Sequence, residues 1–277
     1  MQTIAVTGGS GKLGVRVVEE LLNQGFRVVS LDERRSDKLN CRQIQTDLSD
    51  FGQVVSGLQG AGAVLHLAAI PAPLGYTNTH IFANNVLSTY HILEAASLLG
   101  IPKVAACSSE SAYGFAWASK PFAPQYVPVD EAHPLLPQEC YGLSKQAGEL
   151  AGAMFHRRTG MQVIALRYSM IVAPHEYEKH AVTDPERYTR ILWSYIDIRD
   201  AAQAGIAALR FDGGGFHALN ITSDDTLSDW PTERLLDRFF PELKDRRVSF
   251  EGREAVVSNN LAKQVLNWSP AYSWTSA

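Results

Sequence analysis

Tyr141 and Lys145 stand four residues apart in YGLSKQAGELAGAMFHRR (141–158), where apolar positions recur at three and four. The spacing predicts a helix carrying a phenol and an ammonium on one face, one turn apart. A free phenol with a pKa of about 10 is a poor base at neutral pH, but a neighbouring cation favours phenolate and readies it to take a proton from an alcohol. A third group could hold the same alcohol oxygen. Ser108 and Ser109 close the apolar run KVAACSS (103–109), and Ser109 is the better placed for that task.

A hydroxyl that loses a proton to a base can also lose a hydride, and TGGSGKLG (7–14) offers a place for the acceptor. Gly8, Gly11 and Gly14 follow the apolar run IAVT (4–7) and open a helical pattern at 12–24. In that context the first glycine permits a tight turn, the second lets backbone approach a diphosphate, and the third lets helix pack on sheet. The helix N-terminus then faces the phosphates with free N–H groups. Lys12 and Leu13 belong to the same turn. Asp32 ends the next run, FRVVSLD (26–32), where a carboxylate would meet ribose hydroxyls, which favours NAD over NADP. Arg34 and Arg35 beside it could instead hold a 2′-phosphate or lie on adenine. Asp47, with Leu48 in TDLSD, either reaches the adenine or caps the following helix.

The elements that must position these groups alternate regularly. Short β-branched runs at 4–7, 26–32, 63–69, 103–109 and 161–172 are separated by helical patterns, the longest at about 79–99 and 141–158. Strands apolar on both faces between helices predict an α/β protein with a doubly wound parallel sheet, a Rossmann arrangement, over residues 1–172. After 173 the pattern loosens around DGGG (212–215), TERLLDRFF (232–240) and LAKQVLNW (261–268). Residues 173–277 are expected to form mainly a small substrate lobe, with some elements returning to the core.

With 45% hydrophobic and 19% charged residues the chain is globular in composition, and its net charge of −4 leaves no basic excess for nucleic acid or an anionic membrane. Cys41, Cys107 and Cys140 form no disulfide framework or metal pair, which fits a reducing, cytoplasmic setting. The opening residues read as a strand and a turn, so no leader is expected. His66 lies in an apolar run and reads as a satisfied core residue. His175 and His180 lack an HExxH frame, so no metal site is expected.

Together TGGSGKLG (7–14), HLAA (66–69), SSESAYG (108–114), YGLSK (141–145), LRYS (166–169), YIDIRDAA (195–202) and LNWSPAYSW (266–274) resemble the extended short-chain dehydrogenase/reductases, specifically the NAD-dependent epimerase/dehydratase family. The resemblance implies a catalytic Ser109, Tyr141 and Lys145, with Lys145 also holding the cofactor ribose. It also implies Asn85 beside the cofactor, Leu67, Ala68 and Ala69 under its adenosine, Tyr168 flanking the nicotinamide, and a homodimer through the two long helices. The departure is informative. Members that take nucleotide sugars follow the LRY strand with an N-x-Y-G-P turn and a long insertion, whereas here RYSMIVAPHEYEKH reaches YIDIRD within 27 residues of Tyr168. That shortening resembles uronate dehydrogenases and implies a small carbohydrate substrate. Candidate substrate contacts are Glu110, Ser111 and Ser169, a cationic group of His175, Arg187 and Arg190, and Trp117 near the mouth. The expected activity is NAD-dependent hydride transfer at a secondary hydroxyl of a sugar or sugar acid. The alternatives are a nucleotide-sugar epimerase or dehydratase with retained NAD, and a non-catalytic NAD(P) sensor.

Overall fold

The structure, a computed structural model, describes residues 2–180 and 182–276. Its first half runs β1 (Thr3–Thr7), α1 (Lys12–Asn23), β2 (Arg27–Asp32), β3 (Arg42–Gln45), α2 (Phe51–Leu58), β4 (Ala63–His66), α3 (Asn78–Leu98) and β5 (Lys103–Ser109). The second half adds α4 (Cys140–Thr159), β6 (Gln162–Tyr168), β7 (Met170–Val172), β8 (Tyr195–Asp197), α5 (Ile198–Arg210), β9 (Phe216–Ile221), α6 (Thr232–Phe239) and α7 (Asn260–Leu266). Seven strands form one parallel sheet in the order β3-β2-β1-β4-β5-β6-β9, and β7 pairs with β8 separately. The chain reverses direction across the sheet between β1 and β4, so a crevice opens there at the carboxyl ends of the strands, where ligands of doubly wound sheets bind.

Apolar pattern explains the layering. Every residue of β6 is buried, as a central strand covered on both faces requires. On one face α1 and α5 pack together, with Val17, Val18, Leu21, Ala201 and Ile206 in a core that includes Ile4 and Leu65. On the other face α2, α3 and α4 bury Val54, Leu58, Ile92, Leu93 and Phe155. A third core beyond the strand ends collects aromatic side chains, among them Tyr113, Tyr188, Trp193 and Tyr195, with Leu235 and Leu236 of α6.

Three element boundaries differ from the sequence expectation. The run at 63–69 is strand only to His66; the Leu67 amide still bonds the Thr7 carbonyl at 3.1 Å, and the next residues leave the sheet. The run at 161–172 is two strands, because apolar content does not mark where a sheet ends. The Ser169 amide takes the Ile221 carbonyl at 3.1 Å, and Met170–Val172 then joins Tyr195–Asp197. Asp47 does not cap α2: the Asp50 side chain accepts from the Gln53 amide, while Asp47 folds onto Ser49. Much of the region after 173 belongs to the main body, since α5 packs on α1 and β9 pairs with β6.

Candidate active site

The crevice holds a cavity of about 730 Å³ whose lining includes Gly8, Gly11, Asp32, Arg34, Leu48, Leu67, Ala68 and Ala69. Gly8 has a φ of +70°, and a Cβ there would come within 2.6 Å of the Ala68 amide nitrogen. A Cβ on Gly14 would lie 2.1 Å from the Gly8 carbonyl oxygen, so the turn closes on α1 only without a side chain. The α1 N-cap, Gly11, makes no side-chain cap bond, which leaves the helix end to a ligand. The Asp32 carboxylate is fixed at the rim by the amides of Ser10 (3.0 Å) and Arg34 (3.1 Å). A glycine cradle, a free helix N-terminus and a fixed carboxylate fit a dinucleotide diphosphate and ribose.

Other residues assigned to the cofactor from sequence stand elsewhere. Leu13 is buried in the α1 core and Gly14 serves packing. Asp47 is exposed and outside the cavity lining. Asn85 is 2% exposed, and its amide grips both the N–H (2.8 Å) and the C=O (3.0 Å) of Ile70 and donates to Ser144 Oγ at 3.3 Å. It therefore shapes the loop that lines the cavity. The lining also contains Tyr76, His80, Asn84 and Ser88, which sequence reasoning passed over. Their four-residue recurrence, from just before α3 into its first turns, was the signal.

At the end of β5 the Ser109 hydroxyl faces Tyr141 closely enough to lower the pKa of its phenol. Ser108 turns away, donating to Glu149 Oε1 at 2.6 Å. Lys145 Nζ lies 5.5 Å from the Tyr141 ring centroid and donates to the Cys107 carbonyl at 2.8 Å. Burial raises the Tyr141 pKa above that of an ordinary phenol, with the negative side of Cys107 adding to it and the Ser109 hydroxyl opposing it. Burial also lowers the Lys145 pKa, against the pull of Cys107 and Glu149. Tyr141 is thus a neutral phenol in the free protein. Tyr168, the register partner of Ser109, is buried with its hydroxyl donating to the Ala201 carbonyl at 3.1 Å. Nearby His66 bonds Thr7 Oγ1 (2.7 Å) and Thr89 Oγ1 (3.2 Å), and burial together with Lys145 holds its pKa down to about 3, so it stays a neutral core residue.

Behind the Tyr141 and Lys145 face lies a buried ion pair. Arg167 donates to both Glu149 oxygens, at 2.9 and 2.7 Å, and to the Tyr113 hydroxyl at 3.0 Å. Glu149, one turn beyond Lys145, thereby links α4 to β6 and to Ser108.

The substrate candidates divide. Ser111 is buried, and its amide donates to Ser109 Oγ at 3.1 Å. Glu110 points inward rather than to the mouth: its carboxyl accepts from the Ser194 hydroxyl, and the Ser169 hydroxyl and Met170 amide also act on it. Burial, only partly offset by these groups, pushes its pKa up to about 8. Ser194 reaches it from a turn in which Leu192 and Trp193 both adopt left-handed φ (51° and 55°) while almost fully buried. Trp193 Nε1 holds that turn through the Pro185 carbonyl at 2.7 Å. His175 and Arg187 are exposed, Arg190 bonds the Ala118 carbonyl at 3.1 Å, and Trp117 is 39% exposed. Lys12 does not line the cavity; it pairs with Glu176 and donates to the Ile171 carbonyl. Among the described residues no three His, Cys, Asp or Glu side chains converge as a metal site, and no helix is long and apolar enough to cross a membrane.

Comparison with known proteins agrees with this geometry. The chain is 27% identical to a UDP-glucose 4-epimerase of Lacticaseibacillus casei, over 98% of this chain and 92% of the epimerase. It is 29% identical to an L-arabinose 1-dehydrogenase (NAD(P)(+)) of Haloferax volcanii, over 70% of this chain and 77% of that enzyme. A short-chain dehydrogenase/reductase superfamily protein of Agrobacterium tumefaciens, solved with bound NAD, shares the fold with a TM-score of 0.78, at 23% identity over 99% of this chain and 94% of that one. Residues 4–222 match the NAD dependent epimerase/dehydratase family. The chain belongs to the NAD-dependent epimerase/dehydratase family.

Proposed function

We propose that the protein is an NAD-dependent dehydrogenase that oxidises a secondary hydroxyl of a small sugar or sugar acid and releases the reduced cofactor at each turnover. The observation that carries this reading is the segment joining Tyr168 to Tyr195. Its described residues form only the short β7 and two 3-10 turns, Pro174–Lys179 and Pro185–Ile191, and they fold inward, burying Tyr177, Tyr188, Leu192 and Trp193. A chain this short, with its large side chains committed to a core, offers little length to wrap a nucleotide.

The Ser109 and Tyr141 hydroxyls would both point at the substrate oxygen, Ser109 fixing it and Tyr141 taking its proton. When bound, oxidised nicotinamide supplies the hydride acceptor and a positive charge. Lys145 is the protein's own cation beside the phenol; its hold on the Cys107 carbonyl keeps it within reach of both Tyr141 and a ribose hydroxyl. The interior that raises the Tyr141 pKa also excludes water, so Tyr141 becomes a base only when cationic charge surrounds it.

The test is reduced-nicotinamide absorbance with excess NAD and a panel of uronic acids, aldoses and nucleotide sugars. Reduced cofactor accumulating far beyond the enzyme concentration supports the dehydrogenase. The near full-length likeness to a UDP-glucose 4-epimerase favours a second reading, an epimerase with retained NAD. That reading predicts nucleotide-sugar conversion with no net NADH.

The α3 and α4 pair leaves Leu87, Tyr90, Leu98, Leu143 and Leu150 between 39% and 66% exposed. We place the homodimer interface of the family on this face. A monomeric mass in light scattering would overturn it.

A further inference from the structure

Lys12 is the first residue of α1, at the helix end offered to a diphosphate, yet its ammonium is already engaged. It donates to the Ile171 carbonyl at 2.9 Å and pairs with the carboxylate of Glu176, 164 residues further along the chain. Glu176 is not a loose surface side chain. It accepts from the Ala173 amide at 2.8 Å, which fixes it at the first turn of Pro174–Lys179. Further basic groups share its surroundings: His175 lies in the field of Glu176, and His180 in the fields of Glu176, Arg187 and Lys12. Three basic side chains from two distant segments, Lys12, His175 and His180, thus share the field of one carboxylate, beside a helix N-terminus with no cap of its own. A cation such as Lys12 at such a place suits a dianion, and here the protein supplies an anion itself.

We propose that Glu176 is an internal counter-anion for the diphosphate end of the dinucleotide: it holds Lys12 while the site is empty, competes with the diphosphate for Lys12 when cofactor is bound, and so speeds cofactor release. The inference rests on the proposed dehydrogenase and deepens it. An enzyme that exchanges its cofactor every cycle gains from such a competitor, whereas one that retains NAD does not.

The test needs no substrate. With the full-length protein, NADH affinity is titrated by its fluorescence, and its release is timed in a stopped-flow instrument by displacement with excess NAD. Glu176→Gln keeps an acceptor for the Ala173 amide but removes the charge. It should slow NADH release and lower Kd by about tenfold, the scale of one modest charge interaction. Lys12→Met should change Kd less than threefold in the wild-type background and about tenfold in the Glu176→Gln background, because only there is Lys12 free for the diphosphate. Lys12→Arg, which preserves the pair, should release NADH at the wild-type rate. Unchanged or faster release from Glu176→Gln, or equal effects of Lys12→Met in both backgrounds, would overturn the counter-anion while leaving the dehydrogenase reading standing. A wild-type protein that binds no NADH would overturn both.

Discussion

Glu110 makes the stability of this protein depend on pH in an unusual direction. Its carboxyl has an ordinary pKa of 4.5 in the unfolded chain and about 8 in the fold, where burial outweighs the bond from Ser194 and the polar influence of Ser169 and the Met170 amide. Between those values the folded chain keeps a proton that the unfolded chain has lost, so stability from this group is full below about pH 4.5 and falls as pH rises toward 8. At about 1.4 kcal/mol per pH unit, the shift is worth up to about 5 kcal/mol; partial contact of the residue with solvent reduces this to roughly 2–3 kcal/mol. Glu110→Gln is neutral at every pH and can still accept from Ser194. Urea denaturation followed by tryptophan fluorescence at pH 5.5, 7 and 8.5 gives the comparison. The variant should gain on the wild type steadily with pH and exceed it by about 2 kcal/mol at pH 8.5, with unchanged m-values. A difference that does not vary with pH, or a wild type that gains on the variant as pH rises, would refute a protonated buried Glu110.

Three further outcomes follow from the geometry. Tyr141→Phe removes the hydroxyl that faces Ser109 and should lower turnover by at least about 10²-fold while NAD affinity, measured by titration calorimetry, changes little. Arg167→Met leaves the buried Glu149 carboxylate without its cation and should cost about 3–5 kcal/mol in urea denaturation, with most of that recovered in the Glu149→Met/Arg167→Met double variant. Gly14→Ala places a methyl group 2.1 Å from the Gly8 carbonyl oxygen; it should cost about 1–3 kcal/mol and weaken NAD binding at least tenfold, because the turn must open to accept it.

What was legible in the sequence is what local pattern encodes. The alternation of buried strands and helices set out the sheet, and the glycines of 8–14 fall at its crevice. Polar side chains were harder to place, since their partners lie far along the chain. Lys12 belongs to the glycine turn in sequence, but its partner Glu176 appears only in the fold, and Glu110 reads as a mouth residue until Ser194 closes over it. Asn85 was placed at the cofactor, yet its amide is committed to the backbone of Ile70. The weak strand Arg42–Gln45 carries a single apolar residue and is held by its pairing to Val29–Asp32, a tertiary effect with no local signature.

The order of strands also bears on how the chain is made. β6 lies beside β9, yet β9 begins at Phe216 and β6 ends at Tyr168. During synthesis the apolar strand QVIALRY waits with one edge unpaired for roughly 2–10 s, at translation speeds of about 5–20 residues per second. A bare hydrophobic strand edge is a template for pairing with other chains. The residues made in that interval include the whole segment joining Tyr168 to Tyr195. Lengthening that segment to grip a larger ligand would therefore also lengthen the nascent chain's exposure to misassembly, and the short segment of this protein keeps that interval brief.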